Sequence, residues 1–308
     1  MLKHFSYVLV TPARNEAQFL ASTIESVAAQ TVLPLKWVIA SDGSTDGTDE
    51  IVLRYAATHP WIELLRMPER TERNFAGKAH AVNAAHASLA ALPYEVIAIL
   101  DADITFEREY FAYLLGKLEE DPALGLAGTP NRDASGEIYD FRFVSVEEVS
   151  GTCQVFRRDC FEAIGGYVPS KAGNIDTIAC VSARMQGWKT RTFTGMVSLH
   201  HRVMGTAQCG PIRARFNEGI RDYTIGNHPL WQLFRMAYQM TKRPLVVRGL
   251  AMGAGFVKAW VSGAERPVSE QLVAFRRREQ MQRLARVLTG KRQLQGGALP
   301  PEAAPKSN

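Results

Sequence analysis

The sequence has no run of eighteen uncharged apolar residues, so no membrane span is expected. Its four cysteines, Cys153, Cys160, Cys180 and Cys209, form no CxxC pair and no zinc spacing. That argues against a zinc module or a disulfide framework and predicts reduced thiols, as in a cytosolic protein. No internal repeat and no recognised nucleic-acid motif is present, which makes RNA and DNA poor candidate partners. The opening residues 1–10 lack the length and cleavage site of a signal peptide, and a cytoplasmic location is the expectation.

What the chain does contain is ordinary in amount and uneven in placement. Hydrophobic residues make up 46% of its 308 positions and charged residues 22%, enough for one large or two small domains with ample core. Residues 1–201 carry 18 Lys or Arg against 25 Asp or Glu, a net of −7. Residues 202–308 carry 18 against 6, a net of +12. A basic final third on a mildly acidic body predicts an anionic partner, with membrane lipid preferred over nucleic acid.

The most informative stretch is residues 96–103, VIAILDAD. Five apolar residues in a row read as a strand buried on both faces, the kind found inside a parallel sheet. Residues two apart on a strand point the same way, so Asp101 and Asp103 present two carboxylates together at its end. Such a pair repels unless a cation or a proton intervenes. It is therefore a site for Mg2+ or Mn2+, which accept one or two carboxylates and complete their shell with phosphates and water, or an acidic turn or helix cap.

Along the chain, Tyr7–Thr11, Lys36–Ala40, Trp61–Leu65 and the Asp101 strand alternate with helices that bury Leu20, Ile24 and Val27, then Ile51, Val52 and Tyr55, then an Ala-rich face from Gly77 to about Leu92. Thr45 or Asp46 is placed to cap the second helix. This order predicts a mostly parallel sheet with helices on both faces. Beyond Phe106 a helix is expected over Phe111–Glu120, a strand over Leu124–Thr129 and a half-buried strand over Thr152–Arg157. A helix from Asp176 to Gln186, strands near Lys189–Phe193 and Val197–His200, and a polar segment Arg213–Asn227 follow.

Taken together, TPARNE at 11–16, SDGSTDGT at 41–48, Gly77-Lys78 with Asn83, Asp101 and Asp103, Gly165-Gly166-Tyr167, and Asp176 through Gly187-Trp188 resemble the inverting glycosyltransferases of family 2. The resemblance covers roughly residues 5–220 and implies an α/β GT-A fold, the nucleotide-diphosphosugar transferase fold, with a C-terminal helical extension. It implies a nucleotide pocket lined by Pro12, Arg14 and Glu16, with Asp42 accepting a hydrogen bond from a uracil-like base. Lys78 would meet base or diphosphate, Asp101 the ribose or a metal-bound water, and Asp103 the divalent cation. Asp176 would be the general base; the family shows Glu-Asp here, whereas this chain has Ile175-Asp176. On sequence alone Asp176 could equally be an N-cap. His200 follows the last strand, where some GT-A enzymes hold a metal or diphosphate ligand, and a core or surface histidine is an equal alternative. The Gln-x-x-Arg-Trp signature of processive members is missing, with Arg215-Phe216 as its nearest match, so addition of a single sugar is expected.

The implied organisation is a catalytic domain at 1–225, split into a nucleotide half (1–104) and an acceptor half (105–225), a basic amphipathic region at 226–290, and a disordered tail at 291–308. In a helix from Pro244, the residues Leu245, Val246, Leu250, Met252, Phe256, Val257 and Trp260 share one half, opposite Arg248 and Lys258. Gly249, Gly253 and Gly255 weaken that helix, so something must support it. Its apolar half either lies in a membrane interface or packs on the catalytic domain. Arg276, Arg277, Arg278, Arg283 and Arg286 add positive charge that anionic lipid would attract. The expected activity is transfer of one sugar from a nucleotide-diphosphate sugar, UDP-linked first, to a lipid-linked or glycan acceptor in bacterial surface polysaccharide or glycolipid synthesis. The enzyme would sit peripherally on the inner face of the cell membrane. Alternatives are a catalytically inactive glycosyltransferase-like subunit and a sugar nucleotidyltransferase; the second would want a Gly-rich basic loop where Thr11–Glu16 stands.

Overall fold

A computed structural model describes residues 5–68, 74–136, 145–202 and 210–289. The expected tail at 291–308 and Cys209 lie outside them. The first half alternates β1 (Tyr7–Ala13), α1 (Leu20–Ala28), β2 (Lys36–Ser41), α2 (Thr48–Ala56), β3 (Ile62–Arg66), α3 (Ala76–Ser88) and β4 (Val96–Leu100). Next come β5 (Ile104–Thr105), α4 (Tyr110–Glu120), β6 (Leu124–Gly128), β7 (Asn131–Asp133), β8 (Cys153–Arg157), α5 (Arg158–Ala163), α6 (Ile175–Met185), β9 (Lys189–Thr192) and β10 (Ser198–His200). Four helices complete the described chain: α7 (Pro211–Thr224), α8 (Pro229–Met240), α9 (Val247–Val261) and α10 (Glu270–Leu288).

The main sheet has the order β3-β2-β1-β4-β8-β6-β9. All its neighbours are parallel except β8, which runs antiparallel to both β4 and β6. The mostly parallel sheet expected from the alternating order is therefore present. Residues 152–157 depart from expectation in one respect. Alternation suggested a half-buried strand, but β8 lies between two partners and is buried along nearly its whole length. Its polar Gln154 is satisfied inside: Nε2 donates to the Val149 and Asp176 carbonyls at 3.0 and 3.3 Å, and the Tyr167 hydroxyl donates to Oε1 at 2.5 Å. A buried amide so bonded escapes most of its desolvation cost.

One core fills the sheet face under α1 and α4, with Leu20, Ile24, Phe111 and Leu114. The other lies under α3, α5 and α6, with Ala79, Val82, Phe161 and Ile175. Helix α3 stops at Ser88, short of the expected Leu92. A third, smaller cluster of Ile178, Val181, Ile225 and Leu272 joins α6 to α10. A second sheet of order β5-β10-β7 sits at the end of β4 and positions the site.

The C-terminal helices supply the support that the glycines of α9 call for. The glycines of α9 are its contact surface. A Cβ on Gly255 would stand 1.9 Å from the Phe216 carbonyl oxygen, and one on Gly219 of α7 equally close to that of Met252. Only glycine permits that approach. Gly249 meets the Met236 carbonyl oxygen of α8 in the same way, and Gly253 lies against the Met236 side chain. The bulky apolar residues point outward: Leu245, Val246, Leu250, Val257 and Trp260 are all more than half exposed or at that limit, while Met252 is buried. The apolar half is thus divided: Met252 and Phe256 pack on α7, with Phe256 edge-on to Tyr223, and the other five face outward. The arginines of α10 are likewise partly committed to the fold. Arg276 donates to Asn227 Oδ1, Arg277 to the Gly226 carbonyl, and Arg283 pairs with Glu147 and Glu148.

Candidate active site

The site forms at the C-terminal ends of β1, β2 and β4. The loops after β1 and β2 interlock. Asn15, at φ 57°, accepts at Oδ1 from the Thr45 N–H, and its own N–H donates to Ser44 Oγ. The Glu16 N–H donates to Thr48 Oγ1 and that of Ala17 to Asp46 Oδ2. A left-handed Asn is a costly conformation that the surrounding bonds must hold in place. The cap of α2 differs from expectation: Gly47 takes the N-cap position, and Asp46 accepts from the Thr48 N–H instead. Pro12 lies half-buried in β1 beside Ala40, and Arg14 reaches the nearly buried Asp42 at 3.5 Å.

Two charge chains meet at the end of β4. In the first, Lys78 Nζ donates to Asp101 Oδ1 at 2.5 Å and to the Gly151 carbonyl at 3.1 Å. Burial opposes the Lys78 charge, and the Asp101 carboxylate more than offsets it, so the lysine stays protonated. Gly151 touches the proposed base on its other side: a Cβ there would lie 3.0 Å from that of Asp176. Asp176 is the second residue of α6 and not its N-cap; Asn174 holds that place and makes no side-chain cap bond. The carbonyl of Asp176 is fixed by Gln154, which is held in turn by Tyr167, whose own N–H and carbonyl bond Asn83 of α3.

The second chain runs through Asp103. Antiparallel pairing of β10 with β5 sets His200 opposite Ile104. That register brings His200 Nε2 to 3.2 Å from Asp103 Oδ2, although the residues are 97 positions apart. Arg202 Nη1 stands 3.3 Å from the same oxygen, and its guanidinium makes two bonds to the Glu16 carboxylate at 3.0 and 2.5 Å. Burial opposes ionisation of Asp103, yet His200 and Arg202 hold its carboxyl below its ordinary value. Burial pushes the Glu16 carboxyl up, against the pull of Arg202. His200 is raised because Asp103 outweighs burial. Thus Asp103 carries firm negative charge, whereas Asp101 shares its charge with Lys78.

This donor set fits a small divalent cation. Asp103 Oδ2 and His200 Nε2 are separated by about the spacing of adjacent ligands on an octahedral ion with bonds near 2.1 Å. Among the described residues no cluster of three or more His, Cys, Asp or Glu could hold a metal. The protein would therefore supply few ligands and leave the remainder to phosphates and water, as Mg2+ prefers. Sequence reasoning set Asp101 and Asp103 together at one strand end and His200 at the end of another; the structure brings His200 onto Asp103, Lys78 onto Asp101 and Glu16 onto Arg202. That reasoning gave no role to Arg202 or Gly151. Arg202 was signalled only by its place two residues after His200; Gly151 had no signal, because its importance is a close approach between distant segments.

Residues 8–142 match the model of the family "Glycosyl transferase family 2". A curated relative, the 4,4'-diaponeurosporenoate glycosyltransferase of Staphylococcus aureus strain USA300, is 32% identical over 108 residues. That stretch is 34% of this chain and 26% of the relative, about a quarter of its length. Among solved structures, a mannosyltransferase of Pyrobaculum calidifontis in complex with GDP-Man and Mn2+ superposes with a TM-score of 0.58 at 19% identity, covering 94% of this chain and 89% of that one. Staphylococcus aureus TarS in complex with UDP-GlcNAc gives 0.53 at 13% identity, over 85% and 74%. GalNAc-T7 with UDP, GalNAc and Mn2+ gives 0.60 at 14%, over 94% and 58%. At these identities the structures speak for the fold alone: the chain has the GT-A fold, and its residues 8–142 are similar to glycosyl transferase family 2.

Proposed function

We propose that the protein transfers one sugar, with inversion, from a nucleotide-diphosphate sugar to a lipid-linked or glycan acceptor, in bacterial surface polysaccharide or glycolipid synthesis. The observation that carries this reading is the convergence of Lys78, Asp101, Asp103, His200 and Arg202 at the end of β4, with Gly151 lying between Lys78 and the start of α6, which carries Asp176. Pro12, Arg14 and Glu16 line the nucleotide pocket, and Asp42 accepts from the N–H of a uracil-like base, for which a carboxylate offers acceptors only. That chemistry favours UDP, with GDP as the test's other arm.

Asp103 and His200 would hold Mg2+ or Mn2+, with Asp101 at the ribose or a bound water. When bound, the cation neutralises charge on the departing nucleoside diphosphate. Lys78 keeps Asp101 in place and opposes the upward push that burial gives its carboxyl. Asp176 removes the proton from the acceptor hydroxyl as its oxygen attacks the anomeric carbon from the face opposite the diphosphate, so the configuration inverts in one displacement. The diphosphate leaves with the bonding electrons of the broken C–O bond.

Titration calorimetry of the full chain with UDP- and GDP-sugars, with and without Mn2+, tests the donor site. Tight binding should need the cation and should disappear in Asp103→Asn. Unchanged Mn2+-dependent binding in that variant would move the metal away from Asp103.

A further inference from the structure

Among the described residues no helix is long and apolar enough to cross a membrane. The helical hairpin α8–α9 nevertheless carries an unusual surface. On α9, Val247, Leu250, Ala254, Val257 and Val261 recur at helical spacing and are all exposed. Val261 is 80% and Trp260 64% accessible. Leu230 and Leu233 of α8 are exposed as well, and the turn between the helices presents Leu245 and Val246 beside Lys242 and the exposed Arg243. A soluble helix turns its large apolar residues inward. Here close packing of glycine backbones uses the inner face, which leaves the large side chains outside. Next to them a groove lined by Ile212, Phe216 and Ala251 continues the apolar surface onto α7.

Charge selects the occupant. Residues 227–264 contain no Asp or Glu, while they hold Arg235, Lys242, Arg243, Arg248 and Lys258. Arg235 is spent on Glu218 and Asp222. Lys258 and Arg213 stay exposed at the edge of the groove. A second copy meeting this face about a two-fold axis would set cations against cations. An anionic leaflet answers both the apolar stripe and the basic flank.

We propose that the α8–α9 hairpin is a monotopic lipid-docking surface. The turn at 241–246 and the outer stripe of α9 enter the interfacial layer of an anionic leaflet, with Lys242, Arg243 and Lys258 at the headgroups and Trp260 at the boundary. This goes beyond sugar transfer and does not depend on it. It would bring the acceptor side of the catalytic domain to substrates that reside in the bilayer.

The test is flotation of the full chain, without nucleotide, on vesicles of phosphatidylcholine with or without phosphatidylglycerol. Binding should require phosphatidylglycerol and weaken with salt. It should fall about tenfold or more in Leu250→Glu/Val257→Glu, at two positions exposed in the fold, with an unchanged circular dichroism spectrum expected for the variant. Tryptophan emission should be quenched by brominated lipid, and less so in Trp260→Phe. Three results would overturn the proposal: no flotation on anionic vesicles at low salt, undiminished flotation of the double variant, or a solution dimer in wild type that the double variant dissolves. Because no donor is present, failure here leaves the glycosyltransferase reading untouched.

Discussion

Gly151 separates Lys78 from Asp176 by the thickness of one backbone segment, accepting from the lysine and lying against the aspartate. Asp176 is thus aimed by packing and by the Gln154 bond to its carbonyl, not by a helix cap. Asp176→Asn should keep this packing and lose the proton acceptor. Transfer should drop about 10²–10⁴-fold, with nucleotide-sugar affinity by calorimetry unchanged. A fall in both would make Asp176 a structural residue. Glu148 illustrates a charge kept for stability. It is surrounded by Arg184, Arg283 and Arg276, and although burial opposes its charge, their pull lowers its pKa. A lowered carboxyl stabilises the fold fully above its unfolded value near 4.3, and loses that contribution as pH falls through the folded value. Glu148→Gln should therefore cost about 3 kcal/mol at neutral pH, because it leaves Arg184 partly unpaired in the interior. The deficit relative to wild type should shrink toward pH 3, as thermal melts across that range would record.

At the scale of elements, α7 and α9 approach as closely as backbone allows. Gly255→Ala should force them apart and lower the urea unfolding free energy by about 2–3 kcal/mol or more. Gly116 in α4 meets nothing within 4 Å of a would-be Cβ, and Gly116→Ala should raise it by about 0.5–1 kcal/mol. The same contrast explains what could be read from the chain alone. Strands buried on both faces announce themselves as apolar runs, so β1, β2 and β4 and the acidic residues at their ends were legible. The interlocked loops at 11–16 and 41–48 were legible as separate motifs, though not as one structure. The partnership of His200 with Asp103 was not legible, because a ladder as short as β5–β10 leaves no periodicity. Nor was the outward face of α9: helical projection separates apolar from basic residues, but it cannot tell that glycine would take the inner face.

Across the whole molecule, the expected boundary at 225 passes between helices that depend on one another. Ile178 and Val181 of α6 share a cluster with Leu272. Arg184, with its side chain 8% exposed, donates to Glu279 of α10 as well as pairing with Glu148. A fragment ending at residue 225 would expose that cluster and strand the guanidinium. It should melt without a sharp transition and be digested by trypsin under conditions in which the full chain survives. The C-terminal helices are in this sense a buttress of the α/β half and not a detachable appendage.

The short ladder between β5 and β10 also has a bearing on time. It closes a loop of nearly a hundred residues to bring His200 and Arg202 onto Asp103. Contacts so distant in sequence carry a large closure entropy for little backbone reward, and they tend to form after local structure is in place. While the chain is collapsing, Asp101 has Lys78 within the first hundred residues, but Asp103 and Glu16 must wait, hydrated, for the last strand to arrive. The Lys78–Asp101 end of the site is therefore expected to form early and the Asp103–Glu16 end last, when the opposite charges arrive that let those carboxylates leave water.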